Sequence, residues 1–359
     1  MTLTRLRAAG YRSLRDITLP LGNLNVIVGA NGCGKSNLYR SLFLLHAASR
    51  GELARTLADE GGMPSALWAG ARKKGPVRLA LGVTLGPLDY ELVLGLPDAN
   101  DVPSAFALDP RIKEETLAVV DGRKKVTLLE RRLNSAWARD ADGRRTDYPL
   151  AQVMARSESV LAHLSEPHRY AHLSLLKEEM AGWRFYHHFR TDEGAPLRQP
   201  QVGVFTPVLS HDGRDLAAAL QTVIEIGDAD GLFRSVRQGL GGAVLEIEAD
   251  DGRFHVRLRV PGVLRTLAAR ELSDGTLRYL CLLAALLSPR PPSVLALNEP
   301  ETSLHPDLLP PLAGLIVAAA PRSPLWVTTH SQTLADQIER LSGVAPVTLQ
   351  KVDGETCLT

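Results

Sequence analysis

Three cysteines, Cys33, Cys281 and Cys357, are too few and too scattered for a disulfide framework, and no two stand at metal-ligand spacing. That usage suits a reducing cytoplasm. Among the ten histidines only His168 and His172 stand at H-x-x-x-H spacing. His187 and His188 are adjacent and cannot share a helix or strand face, so they read as structural. The longest apolar runs, Tyr279 to Leu287 and Leu312 to Ala320, are too short to cross a bilayer, and Met1 to Arg7 lacks the apolar core of a signal peptide. We therefore expect a cytoplasmic protein with no membrane partner. There are no heptads, internal repeats or low-complexity tail. A net charge of +1 excludes a polybasic chain, though it leaves room for a local basic face. With 359 residues, 45% hydrophobic and 23% charged, the chain can bury a large core in one elaborated domain or two.

Against these absences stands Gly29-Ala30-Asn31-Gly32-Cys33-Gly34-Lys35-Ser36, which fits G-x-x-x-x-G-K-S at every fixed position. Leu24 to Val28 reads as a short buried strand before it. Leu38, Leu42 and Leu45 recur at i, i+4 and i+7 after it, on one face of a helix. Strand, glycine loop and helix together aim backbone N–H groups and a helix N-terminus at phosphates. Asn31, Gly32, Cys33, Gly34, Lys35, Ser36 and Asn37 are the candidate nucleotide contacts. Lys35 would reach the β- and γ-phosphates, and the Ser36 hydroxyl would sit on Mg²⁺.

Short strands are expected over Leu3 to Ala9 and Ile17 to Leu19, and a helix over Glu52 to Glu60. From residue 71 alternating strands surround Gly86-Pro87, Asp121-Gly122 and Asp142-Gly143, a hairpin pattern. Ser157 to Leu164 and Pro167 to Trp183 then read as helices, with Ser165 as N-cap of the second. Leu216 to Ile226 is helical, and Ala243 to Ala249 with Phe254 to Val260 form a hairpin around Asp251-Gly252. The pattern gives three segments: 1–70 and 201–359 for the core and 71–200 for an inserted α+β lobe.

The C-terminal hundred residues add three signals. Leu272-Ser273-Asp274-Gly275-Thr276-Leu277-Arg278 precedes an apolar helix, and reads either as a plain N-cap at Ser273 or as a second phosphate-binding helix end. Val294 to Leu297 is a buried strand followed by Asn298 and Glu299, at the strand end where α/β sheets place chemistry. Glu299 is placed as the general base that polarises water. Leu325 to Thr329 is a strand ending at His330, which would donate to the γ-phosphate or hold the base and water.

Taken together these motifs resemble the ABC-type ATPase heads of the RecF/SMC-like group. Gly29–Ser36 is similar to Walker A, Leu272–Arg278 to the signature, and Val294–Glu301 to Walker B with its catalytic glutamate. Ser303-Leu304-His305-Pro306 resembles the D-loop, and His330 the switch histidine. The opening Gly10-Tyr11-Arg12-Ser13-Leu14 resembles the start of such heads, adding Arg12 to the candidate nucleotide contacts. Trp183 to Arg198 and Leu209 to Leu220 look like stand-alone, OLD-like relatives. The resemblance implies an α/β P-loop NTPase of ABC-head type with an antiparallel β subdomain, using ATP and Mg²⁺. It implies an ATP-dependent homodimer, in which Ser273 and Gly275 of one protomer meet the γ-phosphate on Lys35 of the other. Asn298 replaces the aspartate that organises Mg²⁺ alongside Ser36, which implies weaker metal binding and slow turnover. Asp274 stands where glycine is usual, and Cys33 where serine is usual. Gln199 and Gln201 are the candidates for a glutamine loop.

Two outputs follow. One is DNA repair or maintenance, with double-stranded DNA meeting the basic clusters Arg72–Lys74, Arg123–Lys125, Arg131-Arg132 and Arg144-Arg145. The other is a nucleotide-gated switch acting on a separate effector, a nuclease or toxin. A transporter ATPase is disfavoured by the β-rich insert.

Overall fold

A computed structural model describes residues 1–71, 75, 77–97, 105–133, 135–148, 155–163 and 166–359. Two compact units share the chain. One comprises Met1–Gly22, Gly29–Trp183 and Thr348–Thr359; the other comprises Asn23–Val28 and Arg184–Val347.

In the first unit, strands β1 (Leu3–Tyr11) and β2 (Leu14–Pro20) form an antiparallel hairpin. Strand β3 (Leu24–Gly29) follows and runs into the glycine loop. The first unit then adds β4 (Leu79–Leu85), β5 (Leu88–Gly95), β6 (Arg111–Asp121), β7 (Lys124–Arg132), β8 (Ser135–Arg139) and β9 (Arg145–Tyr148). The sheet order is β2-β1-β4-β5-β6-β7-β8-β9, antiparallel throughout. The strands predicted for an inserted lobe are thus hydrogen-bonded in series onto β1, whose free edge needs a partner for its backbone groups. Alternation sets the core face: Leu88, Tyr90, Leu92 and Leu94 of β5 are all buried.

The helix after the glycine loop spans Lys35–Ser49 and buries Leu38, Leu42 and Leu45 as its spacing predicts. The helix Ala171–Ala181 packs against it, and the Met180 carbonyl lies 2.8 Å from His46 Nδ1. That helix begins four residues after the expected Pro167. Arg169 and Tyr170 instead donate their N–H groups to the Glu166 carbonyl, forming a turn. The proposed cap Ser165 lies outside the described residues, as does Leu164. The helix expected before it is the single turn Val160–His163.

The second unit opens with β10 (Arg184–Tyr186), β11 (Gln201–Val202), β12 (Val244–Asp250), β13 (Arg253–Arg259) and β14 (Leu267–Ala268). Strands β12 and β13 are the predicted hairpin. Asp251 (φ +43°) and Gly252 (φ +71°) are both left-handed, as the commonest tight hairpin turn requires. Next come β15 (Leu295–Asn298) and β16 (Leu325–Thr329). They join β10 and β3 in a parallel sheet ordered β10-β15-β16-β3. Every residue of β15 and β16 is buried, as in a sheet covered on both faces. The covering helices include Leu216–Ile226, Asp274–Leu286, Leu309–Ala319 and Gln332–Ser342, whose Leu220, Leu280, Ile316 and Leu334 join one core. The parallel register, Asn298 beside Thr328 and Thr329 beside Val28, brings three strand ends to one edge.

The chain closes with the antiparallel hairpin β17 (Val347–Val352) and β18 (Glu355–Leu358), which from Thr348 onward belongs to the first unit.

Candidate active site

The glycine loop begins one residue after Val28. Lys35 is buried, and its Nζ donates to the carbonyls of Gly29 (2.7 Å) and Ala30 (3.2 Å). The ammonium is therefore held over the mouth of the loop by neutral acceptors, which a phosphate oxygen outcompetes on charge. Asn31, Gly32 and Ser36 are exposed, while Cys33 and Gly34 are buried. The Cys33 N–H donates to the Ala30 carbonyl at 3.2 Å. Gly34, at φ +112°, caps the helix, and a Cβ there would sit 2.1 Å from Thr356 Oγ1. Asn37 is committed within the unit: its Nδ2 donates to Ser13 Oγ at 2.8 Å. Arg12 is committed too. Its Nη2 lies 2.8 Å from the buried Glu60, which also takes Arg40 at 2.9 Å and the Tyr11 hydroxyl at 2.7 Å. Burial, then Glu60, pushes the Tyr11 phenol well above its usual range.

In the second unit Glu299 follows β15 in a left-handed conformation, φ +48°. Its N–H donates to the Thr328 carbonyl (2.8 Å), and its carbonyl accepts from Arg278 Nη2 (3.1 Å). A non-glycine residue pays about 1–3 kcal/mol for such a backbone and keeps it only where neighbours over-determine it. Arg278 lies in the helix Asp274–Leu286, buried, and desolvation lowers its pKa.

Glu301 is the hub of this edge. It is 7% exposed, and its Oε1 accepts from Thr329 Oγ1 (2.5 Å), His330 N (2.9 Å) and Ser331 N (3.2 Å). Those N–H groups open the helix Gln332–Ser342, so a carboxylate meets a helix N-terminus. Its Oε2 is also buried and has no hydrogen-bond partner. His330 Nδ1 lies 3.1 Å from Glu301 Oε1 and 3.8 Å from Glu299 Oε1, between two carboxylates.

Asn298 is 5% exposed, with both ends of its amide engaged. Its Oδ1 accepts from Thr328 Oγ1 at 2.7 Å, and its Nδ2 lies 2.9 Å from His187 Nδ1. His187, expected to be structural, therefore touches a candidate site residue. Sequence spacing could not show this, because β10 and β15 meet only in the folded sheet.

Ser273 caps its helix, accepting from Thr276 N at 3.2 Å. A Cβ on Gly275 would stand 2.5 Å from the Ser303 carbonyl, so the signature-like turn and the D-loop-like turn pack backbone to backbone. Asp274 is held by Arg198 Nη2 at 2.6 Å. The same guanidinium donates through Nη1 to the carbonyls of Ala269 (3.3 Å), Arg270 (3.3 Å) and Leu272 (2.8 Å). The carboxylate that stands in the glycine slot is thereby neutralised. Gln201 is buried and spent, donating to the Leu197 carbonyl and accepting from Ala217 N, which removes it as a glutamine-loop candidate.

The donor set fits nucleotide phosphates: a lysine ammonium and a helix N-terminus around exposed Asn31, Gly32 and Ser36. For a divalent cation the loop offers the Ser36 hydroxyl; in the second unit Asn298 carries no charge and is already hydrogen-bonded. Among the described residues no group of three or more His, Cys, Asp or Glu could hold a metal ion, and no helix is long and apolar enough to cross a membrane.

Fold and motifs together define a P-loop head of the ABC-ATPase fold. The chain belongs to the family described as "AAA domain, putative AbiEii toxin, Type IV TA system", which matches residues 24–336. It is 49% identical over 43 residues to an OLD nuclease of Thermus scotoductus, a match spanning 12% of this chain and 8% of that protein. It shares its fold with an SMC head solved bound to the C-terminal winged-helix domain of ScpA, at TM-score 0.54 and 16% identity, covering 100% of this chain and 97% of that one. A second SMC head, with an extended coiled coil and bound to the C-terminal domain of ScpA derived from Pyrococcus furiosus, aligns at TM-score 0.52 and 14% identity, over 100% and 96%.

Proposed function

We propose that this protein hydrolyses ATP slowly and pairs with a second copy of itself when ATP is bound. Lys35 and N–H groups of the loop, that of Gly34 among them, hold the phosphates, with Arg12 at the rim. Glu299 polarises the attacking water, and His330, steadied by Glu301, completes the site. Ser273 and Gly275 of the partner copy meet the γ-phosphate. Ser36 and Asn298 would be the residues to hold the Mg²⁺ that ATP brings, which would offset phosphate charge. The observation carrying this reading is the strained backbone of Glu299, held from Thr328 on one side and Arg278 on the other. Strain of this kind gathers at functional sites. The three-segment organisation, 1–70, 71–200 and 201–359, remains part of the same proposal.

Of the two outputs, control of a separate effector protein has the support of the charge geometry. Several residues of the basic clusters offered for DNA are engaged, one in the core and three in exposed ion pairs. Arg131 is a core residue, 2% exposed, donating to the carbonyls of Glu158 and Arg156. Lys125 pairs with Asp89 at 3.1 Å, Arg132 with Glu130 at 2.7 Å and Arg145 with Asp147 at 3.6 Å. Arg72–Lys74 lie outside the described residues. The test is steady-state ATP turnover titrated with double-stranded DNA at low and moderate salt. A measurable rate indifferent to DNA supports effector control. A rate that rises with DNA, and loses the rise with salt, returns the output to DNA.

A further inference from the structure

The C-terminal hairpin lies against the back of the glycine loop, and four groups connect them in a single direction. Asn37 Nδ2 donates to Ser13 Oγ at 2.8 Å. Ser13 Oγ lies 2.7 Å from Thr356 Oγ1. Thr356 Oγ1 donates to the Cys33 carbonyl at 2.8 Å. Each hydroxyl has one proton. Once Thr356 gives its proton to Cys33, Ser13 must give its own to Thr356, and the Ser13 lone pair is left for Asn37. The Thr356 N–H also donates to the Ser13 carbonyl at 2.8 Å, which fixes β18 against the chain around Ser13. Ser13 is 8% exposed and Thr356 1%, so the chain of bonds is shielded from water and each bond polarises the next.

The last bond lands on the peptide between Cys33 and Gly34. A trans peptide points its C=O and N–H in opposite directions. Tying the Cys33 carbonyl to the hairpin therefore aims the Gly34 N–H away from it, out of the back wall and into the loop. Gly34 permits this in two ways. It takes φ +112°, and its missing Cβ leaves the space that the Thr356 hydroxyl fills, 2.1 Å from where a Cβ would stand. Gly29 repeats the arrangement at the other end of the loop, where a Cβ would lie 2.6 Å from the Leu349 carbonyl of β17.

We propose that Thr356, with Ser13 behind it, is a positioning residue for nucleotide binding: the C-terminal hairpin orients the Gly34 N–H toward a phosphate oxygen through the Asn37–Ser13–Thr356–Cys33 chain. The inference rests on the phosphate-loop reading above and adds to it a wall formed by residues more than three hundred positions away. Asn37 thereby acts through the chain rather than by touching the nucleotide with its side chain.

The test uses the full chain and an ATP bearing a methylanthraniloyl fluorophore, titrated with Mg²⁺ present, alongside thermal melting of the free protein. Thr356→Val keeps the shape and removes the hydroxyl; we expect binding about tenfold weaker, the scale of one buried carbonyl left unpaired. Thr356→Ser restores the hydroxyl and should bind within about twofold of wild type. Ser13→Ala should give an intermediate loss, roughly threefold, because it acts one bond further back. Cys357→Ala, next along the same strand, should leave binding unchanged. Melting temperatures that fall while affinity stays constant across Thr356→Val and Ser13→Ala would reduce the hairpin to a structural element and overturn the proposal. So would a Thr356→Ser variant as weak as Thr356→Val. A wild-type protein that binds no labelled ATP, although lysine and glycines are in place, would instead overturn the phosphate-loop reading itself.

Discussion

The glycine loop and the edge of the parallel sheet are made of different materials. Around Gly29–Ser36 the proposed working groups are backbone N–H and C=O, and in the inference above side chains such as Thr356 and Ser13 serve to aim them. At Asn298–Ser331 the proposed working groups are side chains, Glu299 and His330, and the backbone serves to aim those, through a strained φ at Glu299 and N–H groups on Glu301. A phosphate of fixed shape suits a rigid cradle of dipoles. Polarising a water needs a carboxylate whose position is set but whose charge stays available. The contrast teaches where substitutions will be felt: in the loop through geometry, at the edge through charge.

Paired variants give the sharpest test of this contrast. Glu299→Gln removes the charge and keeps the shape. Turnover should fall about a hundredfold or more, the usual worth of a general base, while labelled-ATP binding stays near wild type and dimer accumulates on size exclusion. Lys35→Ala should do the reverse, lowering affinity by roughly a hundredfold through the loss of a charge-assisted contact. A Glu299→Gln protein that stays monomeric at saturating ATP and Mg²⁺ breaks the paired-head reading. Smaller is the effect of Glu301→Ala. It strips the acceptor from one buried hydroxyl and two partly buried N–H groups, so urea unfolding should report a loss of about 2 kcal/mol. Turnover should drop with it, because His330 loses its support. The smallest change is Asn298→Asp, which should raise turnover a few-fold and lower the Mg²⁺ concentration needed for half-maximal rate. If neither moves, the proposed weakening of the metal by asparagine is wrong.

Local pattern carried a good part of this molecule. The strand before the glycine loop, the helix after it, the Ser273 cap and the hairpin at Asp251-Gly252 all depend on neighbours within a few residues, and the sequence displays those neighbours directly. Strands β3, β15 and β16 of the parallel sheet were visible as short apolar runs, while the three-residue β10 beside them was not. The partners of the site residues were not. Thr356 stands 323 positions from the carbonyl it holds, and His187 stands 111 positions from Asn298. Neither has a residue type or spacing that marks it. Glu301 was inside the recognised motif, yet its role was hidden, because the donors that converge on it come from the end of a different strand. The long antiparallel sheet was legible as hairpins, but its attachment to β1 was not. Alternation specifies a face and leaves the neighbouring strand open.

One further consequence concerns inheritance. Arg198 spends its guanidinium on the carbonyls of Thr191, Asp192, Ala269, Arg270 and Leu272 and on Asp274, which in the proposed site occupies the place of a glycine facing phosphate. Neither residue makes sense without the other. An aspartate alone would repel nucleotide, and an arginine alone would leave a buried cation short of a counter-charge. The two should therefore behave as a single heritable character, gained or lost together across related chains although 76 positions separate them.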